Sequence, residues 1–106
     1  MGLKKTNHTI EELGLTLPNA YATIRTLNIY GDKGTAEFVV QSTRENCFKL
    51  QPLKTVFVEF DVNRNENPYV TAYNKAKSIF TYKKGEHTMM QEMPFYGWED
   101  DFYYDI

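Results

Sequence analysis

Apolar and polar residues alternate with a period of two along most of this chain, and the period lengthens once. Residues 21–30 and 35–41 read as two strands joined by Gly31-Asp32-Lys33-Gly34. On the first arm Ala22, Ile24, Thr26, Asn28 and Tyr30 share one face, and Tyr21, Thr23, Arg25, Leu27 and Ile29 take the other. Each face therefore receives a mixture of apolar and polar groups. On the second arm Ala36, Phe38 and Val40 oppose Glu37, Val39 and Gln41. Asp32 and Gly34 are the turn residues expected to take positive φ, as a short hairpin requires. Residues 53–62 predict a third strand, with Val56, Val58, Phe60 and Val62 on one face. Thr55, Phe57, Glu59 and Asp61 fall on its opposite.

The longer period begins at Asn67, a good N-cap, with Pro68 at the first helical position. Tyr69, Ala72, Tyr73, Ala76, Ile79 and Phe80 then fall on one face of a helix of about three to four turns. Asn74, Lys75, Lys77 and Ser78 take the wet side. Residues 1–15 predict a loose arm with one helical turn, capped by Thr9 and closed by Gly14. The first strand should begin only after Pro18. Residues 42–52 read as a polar loop, 83–86 as a turn and 88–93 as a short strand. The predicted class is α+β: a small antiparallel sheet, sandwich- or barrel-like, with one amphipathic helix packed across it. One domain spans 1–106, with a core at 16–82 and an aromatic, acidic segment at 83–106.

Composition narrows the function classes. At 106 residues, 42% hydrophobic and 25% charged, the chain has the make-up of one modest soluble domain. Aromatics reach 15%, from eight Tyr, seven Phe and one Trp, which suits strands and protein interfaces. A net charge of −2 is too small to draw nucleic acid or an anionic membrane. Lys4, Lys5, Arg25, Arg44, Lys49 and Lys54 are scattered and form no basic stripe, so no nucleic-acid partner is expected. The single Cys47 excludes an intramolecular disulfide. No apolar run resembles a signal peptide or a membrane span, so synthesis in a cytoplasm is expected.

Chemistry is sparse. His8 and Glu12 could share a face as a metal pair, yet no third ligand accompanies them, and two exposed polar side chains in an arm are expected instead. His87 stands alone in a turn. Cys47 carries no nucleophile signature and reads as a small, partly buried hydrophobe. Glu37, Glu59 and Asp61 are carboxylates of a wet sheet face, and Gly31 and Gly34 serve a hairpin and cradle no phosphate. No catalytic residue, cofactor or metal is expected, and the chain does not read as an enzyme. The feature that stands out is the C-terminal segment. Phe95, Tyr96, Trp98, Phe102, Tyr103 and Tyr104, interleaved with acids, either complete the domain's own core or dock on a partner. Packing on its own core is the preferred reading, because termini with this much apolar area are usually tied down.

Two phrases carry a resemblance. Leu17-Pro18-Asn19-Ala20-Tyr21-Ala22-Thr23-Ile24 and Asn67-Pro68-Tyr69-Val70-Thr71-Ala72-Tyr73-Asn74-Lys75-Ala76-Lys77 resemble a group of small phage and prophage proteins encoded among tail and structural genes. The likeness covers roughly residues 16–80. Ala76 stands where leucine is more usual, and residues 95–106 replace a shorter acidic ending. The resemblance implies a virion structural or accessory protein, of tail or baseplate, acting by assembly with other virion proteins or copies of itself as a homo-oligomer. It would be made in a bacterial host's cytoplasm and carried in the virion. The alternative is a non-structural phage protein that binds and inhibits a host protein. The group brings no established catalytic residues.

Overall fold

Strand-forming alternation dominates the computed structural model, which describes residues 1–84 and 89–101. A five-stranded, wholly antiparallel sheet runs in the order β4-β3-β2-β1-β7. Its strands are β1 (Gly2–Ile10), β2 (Leu15–Tyr30), β3 (Lys33–Gln41), β4 (Lys54–Asp61) and β7 (Glu99–Asp101). A separate hairpin pairs β5 (Thr81–Lys84) with β6 (Met89–Glu92). Two helices, α1 (Asn46–Lys49) and α2 (Pro68–Ala76), complete the α+β architecture. The single-helix expectation is thereby corrected, since the polar loop at 42–52 holds α1. The sheet is open, with β4 and β7 at its edges, and no pairing that would close a barrel is present among the described residues. No helix is long and apolar enough to cross a membrane among those residues.

The largest correction concerns residues 1–15. They are no loose arm: β1 lies inside the sheet, between β2 and β7, with Leu3 and Ile10 in the core. Leu3 and Ile10 are an odd number of residues apart and would face opposite ways in a regular strand. Asn7, at φ 52, breaks the alternation between them. Asparagine tolerates this left-handed geometry better than most residues. The pairing skips Asn7 and Pro18 together, so the proline falls where the ladder is already interrupted. That is why β2 runs straight through Pro18 and starts at Leu15. The expected helical turn survives as a 3-10 turn at Glu11–Leu13, ended by Gly14 at φ 63, but Thr9 does not cap it.

A second irregularity resolves the mixed faces of the first hairpin arm. The β2–β3 register pairs Ile24 with Phe38 and then Thr26 with Glu37, leaving Arg25 as the extra residue of a bulge. The bulge exchanges the faces, so Ala22 and Ile24 before it share a side with Leu27 after it. The turn itself is the pair Gly31-Asp32, and Gly31 (φ 60) takes the positive φ expected of Asp32 and Gly34. Gly34 is needed for another reason: a Cβ there would meet the Phe60 ring at 2.3 Å.

The core lies on one face of the sheet, where Ala22, Phe38, Val40, Val58 and Phe60 meet α2. Asn67 accepts from the Tyr69 backbone N–H and so caps α2 as expected. Ala72, Tyr73 and Ala76 are buried. The helix ends a turn sooner than its apolar pattern suggests, and Tyr69 and Phe80 stay exposed. On the other face, α1 covers only the end of β2 and β3 around Tyr21, Val39 and Gln41.

Candidate interaction surfaces

Of the six aromatics expected either to complete the core or to dock on a partner, the structure places three. Phe95 is 1% exposed and Trp98 4%, both inside the core cluster. Phe95 packs against Phe38 at 5.2 Å between centroids and against Trp98 at 5.3 Å, and Phe38 in turn meets Tyr73 at 5.3 Å. These edge and tilted contacts are the favoured geometry for rings. Neither side chain can serve a partner without leaving the fold, so for both the self-packing reading is the one observed. Tyr96, between them, is 69% exposed. Phe102, Tyr103 and Tyr104 lie outside the described residues, as does His87. Beyond Trp98 the chain becomes β7 and adds to β1, pairing Lys4 with Glu99 and Gly2 with Asp101. Lys77 Nζ on the residue after α2 holds Asp100 at 2.7 Å, which ties the segment down from a second side.

His8 is not the exposed side chain expected of it. Its ring meets Trp98 edge-on at 4.9 Å, half-buried. Burial lowers its pKa, reinforced by Lys5 and Lys54 and opposed by Glu92 and Glu12. Lys54 Nζ contacts Glu92 at 3.0 Å and Glu12 at 3.9 Å, so the two carboxylates near His8 are held by a lysine. No group of three or more His, Cys, Asp or Glu suited to a metal exists among the described residues.

Cys47 points its Sγ at the carbonyls of Tyr21 (3.6 Å) and Val39 (4.0 Å), and burial pushes its thiol up to about 11. A thiol so shifted is almost wholly protonated at neutral pH and a poor nucleophile. A groove of about 620 Å³ opens where β1, β7 and the residues before α1 meet. Lys4, Arg44, Glu99 and Asp101 line it with both signs of charge, beside the Tyr21 ring. That ring crosses Gly2 so closely that a Cβ there would sit 2.3 Å away. Burial, and after it Asp101, raise the Tyr21 phenol above its ordinary value.

The open half of the second sheet face is a different surface. After the bulge, Thr26 and Asn28 of β2 join Thr35 and Glu37 of β3 and Phe57 of β4 around a shallow hollow of about 280 Å³. Arg25 closes one side by gripping Glu37 with Nε and Nη2 at 2.8 and 2.9 Å, which holds that carboxyl below its ordinary range. Phe57 is 62% exposed and Tyr30 82%. Both strand residues present large rings to water at the side of the sheet that α1 leaves bare. The alternation sets Phe57 on the face opposite Val56 and Val58, and an aromatic among Thr55, Glu59 and Asp61 is the signal the sequence offers for this surface. No family model, curated protein or solved structure matches this chain.

Proposed function

We propose that this chain is a small structural or accessory protein of a phage virion, of tail or baseplate, and that it works by assembly. The observation that carries the assembly half is the bare sheet face with its open edge: Phe57 and Tyr30 stand in water beside an eight-residue strand that, among the described residues, has a neighbour on one side only. Exposed aromatics with few rotatable bonds make good anchors in protein interfaces. An unpaired strand edge favours strand addition over small-molecule capture. The phage half rests on the resemblance of residues 17–24 and 67–77, which here lie in the first part of β2 and span α2 with the residue on either side of it. The expected partners are copies of this chain and neighbouring virion proteins. Quantitative mass spectrometry of purified virions is the test. Stoichiometric copies of the chain are expected. Its absence from particles, with capture of a host protein instead, would shift the function to a host-directed binder.

A further inference from the structure

The two edges of the main sheet are built differently. At β7 the described residues of the edge, Glu99-Asp100-Asp101, are wholly acidic. A second copy laid antiparallel there would set like charges against one another, which is a common way of keeping an edge solitary. β4 carries Lys54 at its first residue and Glu59 and Asp61 towards its end, and the stretch between them is apolar or neutral. Its eight residues pair with β3 in an uninterrupted register, and the run Thr55-Val56-Phe57-Val58-Glu59-Phe60 contains no Pro, no Lys and no bulge. No strand lies on its outer side among the described residues.

We propose that β4 pairs antiparallel with β4 of a second copy about a two-fold axis through Phe57, joining the two sheets into one of ten strands. This inference rests on the assembly reading above and names its surface. Directly opposite residues in an antiparallel pair share a face. With Phe57 against Phe57 of the second copy, Val56 falls opposite Val58 on the core side, and Thr55 opposite Glu59 on the bare side. Over residues 55–59 the pairing is self-complementary: valine meets valine, the Thr55 hydroxyl meets Glu59, and no two like charges oppose, while outside that run Lys54 falls opposite Phe60. Shifting by two residues would instead set Phe57 against Glu59 and Thr55 against Asp61, separating the rings. The two exposed Phe57 rings thereby shield each other, and the hollows beside them become one continuous surface. An isologous two-fold contact is also the commonest form of self-association.

Native mass spectrometry and light scattering on the full chain test this. The wild type is expected as a dimer. F57K, which replaces an exposed side chain, should halve the mass while leaving circular dichroism and thermal melting those of a folded domain. T55E should weaken the dimer by setting two carboxylates face to face, and T55E/E59K should restore it, because the new pair is complementary only across an antiparallel two-fold. A dimer that survives F57K, or a T55E protein as tightly dimeric as wild type, would overturn the proposal. A chain that is monomeric alone yet present in virions would also overturn it and leave the assembly reading standing. A β4 dimer missing from virions would do the reverse.

Discussion

Tyr73 shows how one buried hydroxyl can finish a sheet. Its OH accepts from the Ile24 backbone N–H at 3.0 Å, donates to the Met1 carbonyl at 2.9 Å, and lies 3.1 Å from Thr23 Oγ1. β1 pairs no further than Ala22 at this end of β2, so the phenol takes over the backbone donor just beyond the ladder. Tyr73→Phe should cost about 1–3 kcal/mol in urea unfolding, the penalty for a buried donor left without its acceptor. An unchanged midpoint would show that water replaces the phenol without loss. His8 gives the matching case for charge. Its folded pKa lies below the ordinary value near 6.5, so the unfolded chain binds more protons just below that pH. Stability should therefore fall as pH drops from about 6.5 towards the lowered folded value. The comparison is with His8→Gln, whose unfolding midpoint should lack this component over the same window. Parallel pH profiles for the two proteins would remove His8 from the account. The position of Tyr73 on the helix was legible from its period; the role of its hydroxyl was not, because no local pattern reports where a neighbouring strand stops.

At the scale of elements, strand periodicity was legible and its interruptions were not. β4 and β3 follow their alternation, with Val56, Val58 and Phe60 buried on one face as expected. β2 does not, and the mixture of Ile24, Thr26, Leu27 and Asn28 was the mark of an extra residue at 25. Two alternating patterns in opposite phase, joined at Arg25, look like poor amphipathicity when read as one. Residues 2–10 failed for the same reason, since Asn7 flips the phase and hides a strand that carries Leu3 and Ile10. This makes a sharp test. Arg25→Ala removes a solvent-screened ion pair and should leave the melting temperature close to that of wild type. Deleting Arg25 outright should be far worse, because a one-residue slip would turn Thr26 and Asn28 towards the core and Leu27 away from it. The expected readout is loss of the cooperative thermal transition in the deletion and its retention in the alanine variant. Equal behaviour of the two would mean that β2 can re-register without the bulge.

For the molecule as a whole, the C-terminal segment is a structural closure before it is anything else. The sheet packs one face against α2, and Phe95 and Trp98 extend that layer towards β1 and its His8. The same segment then becomes the edge strand β7, so core filling and edge protection come from seven consecutive residues, 95–101. An aromatic, acidic composition announced burial without saying which rings were buried, because that choice is made by the turn at Gly97 (φ 82), which lets Trp98 fold back beside Phe95. Tyr96 is the residue the turn leaves outside. Phe95→Ala should therefore cost about 3–5 kcal/mol, the usual range for emptying a buried aromatic site. Tyr96→Ala should stay within about 0.5 kcal/mol of wild type, as exposed positions generally do. Urea denaturation of the two single variants measures both values on adjacent residues of one segment. If Tyr96→Ala proved as destabilising as Phe95→Ala, residues 95–101 would have to pack differently from the arrangement described, and the protection that β7 gives the β1 edge would need another source.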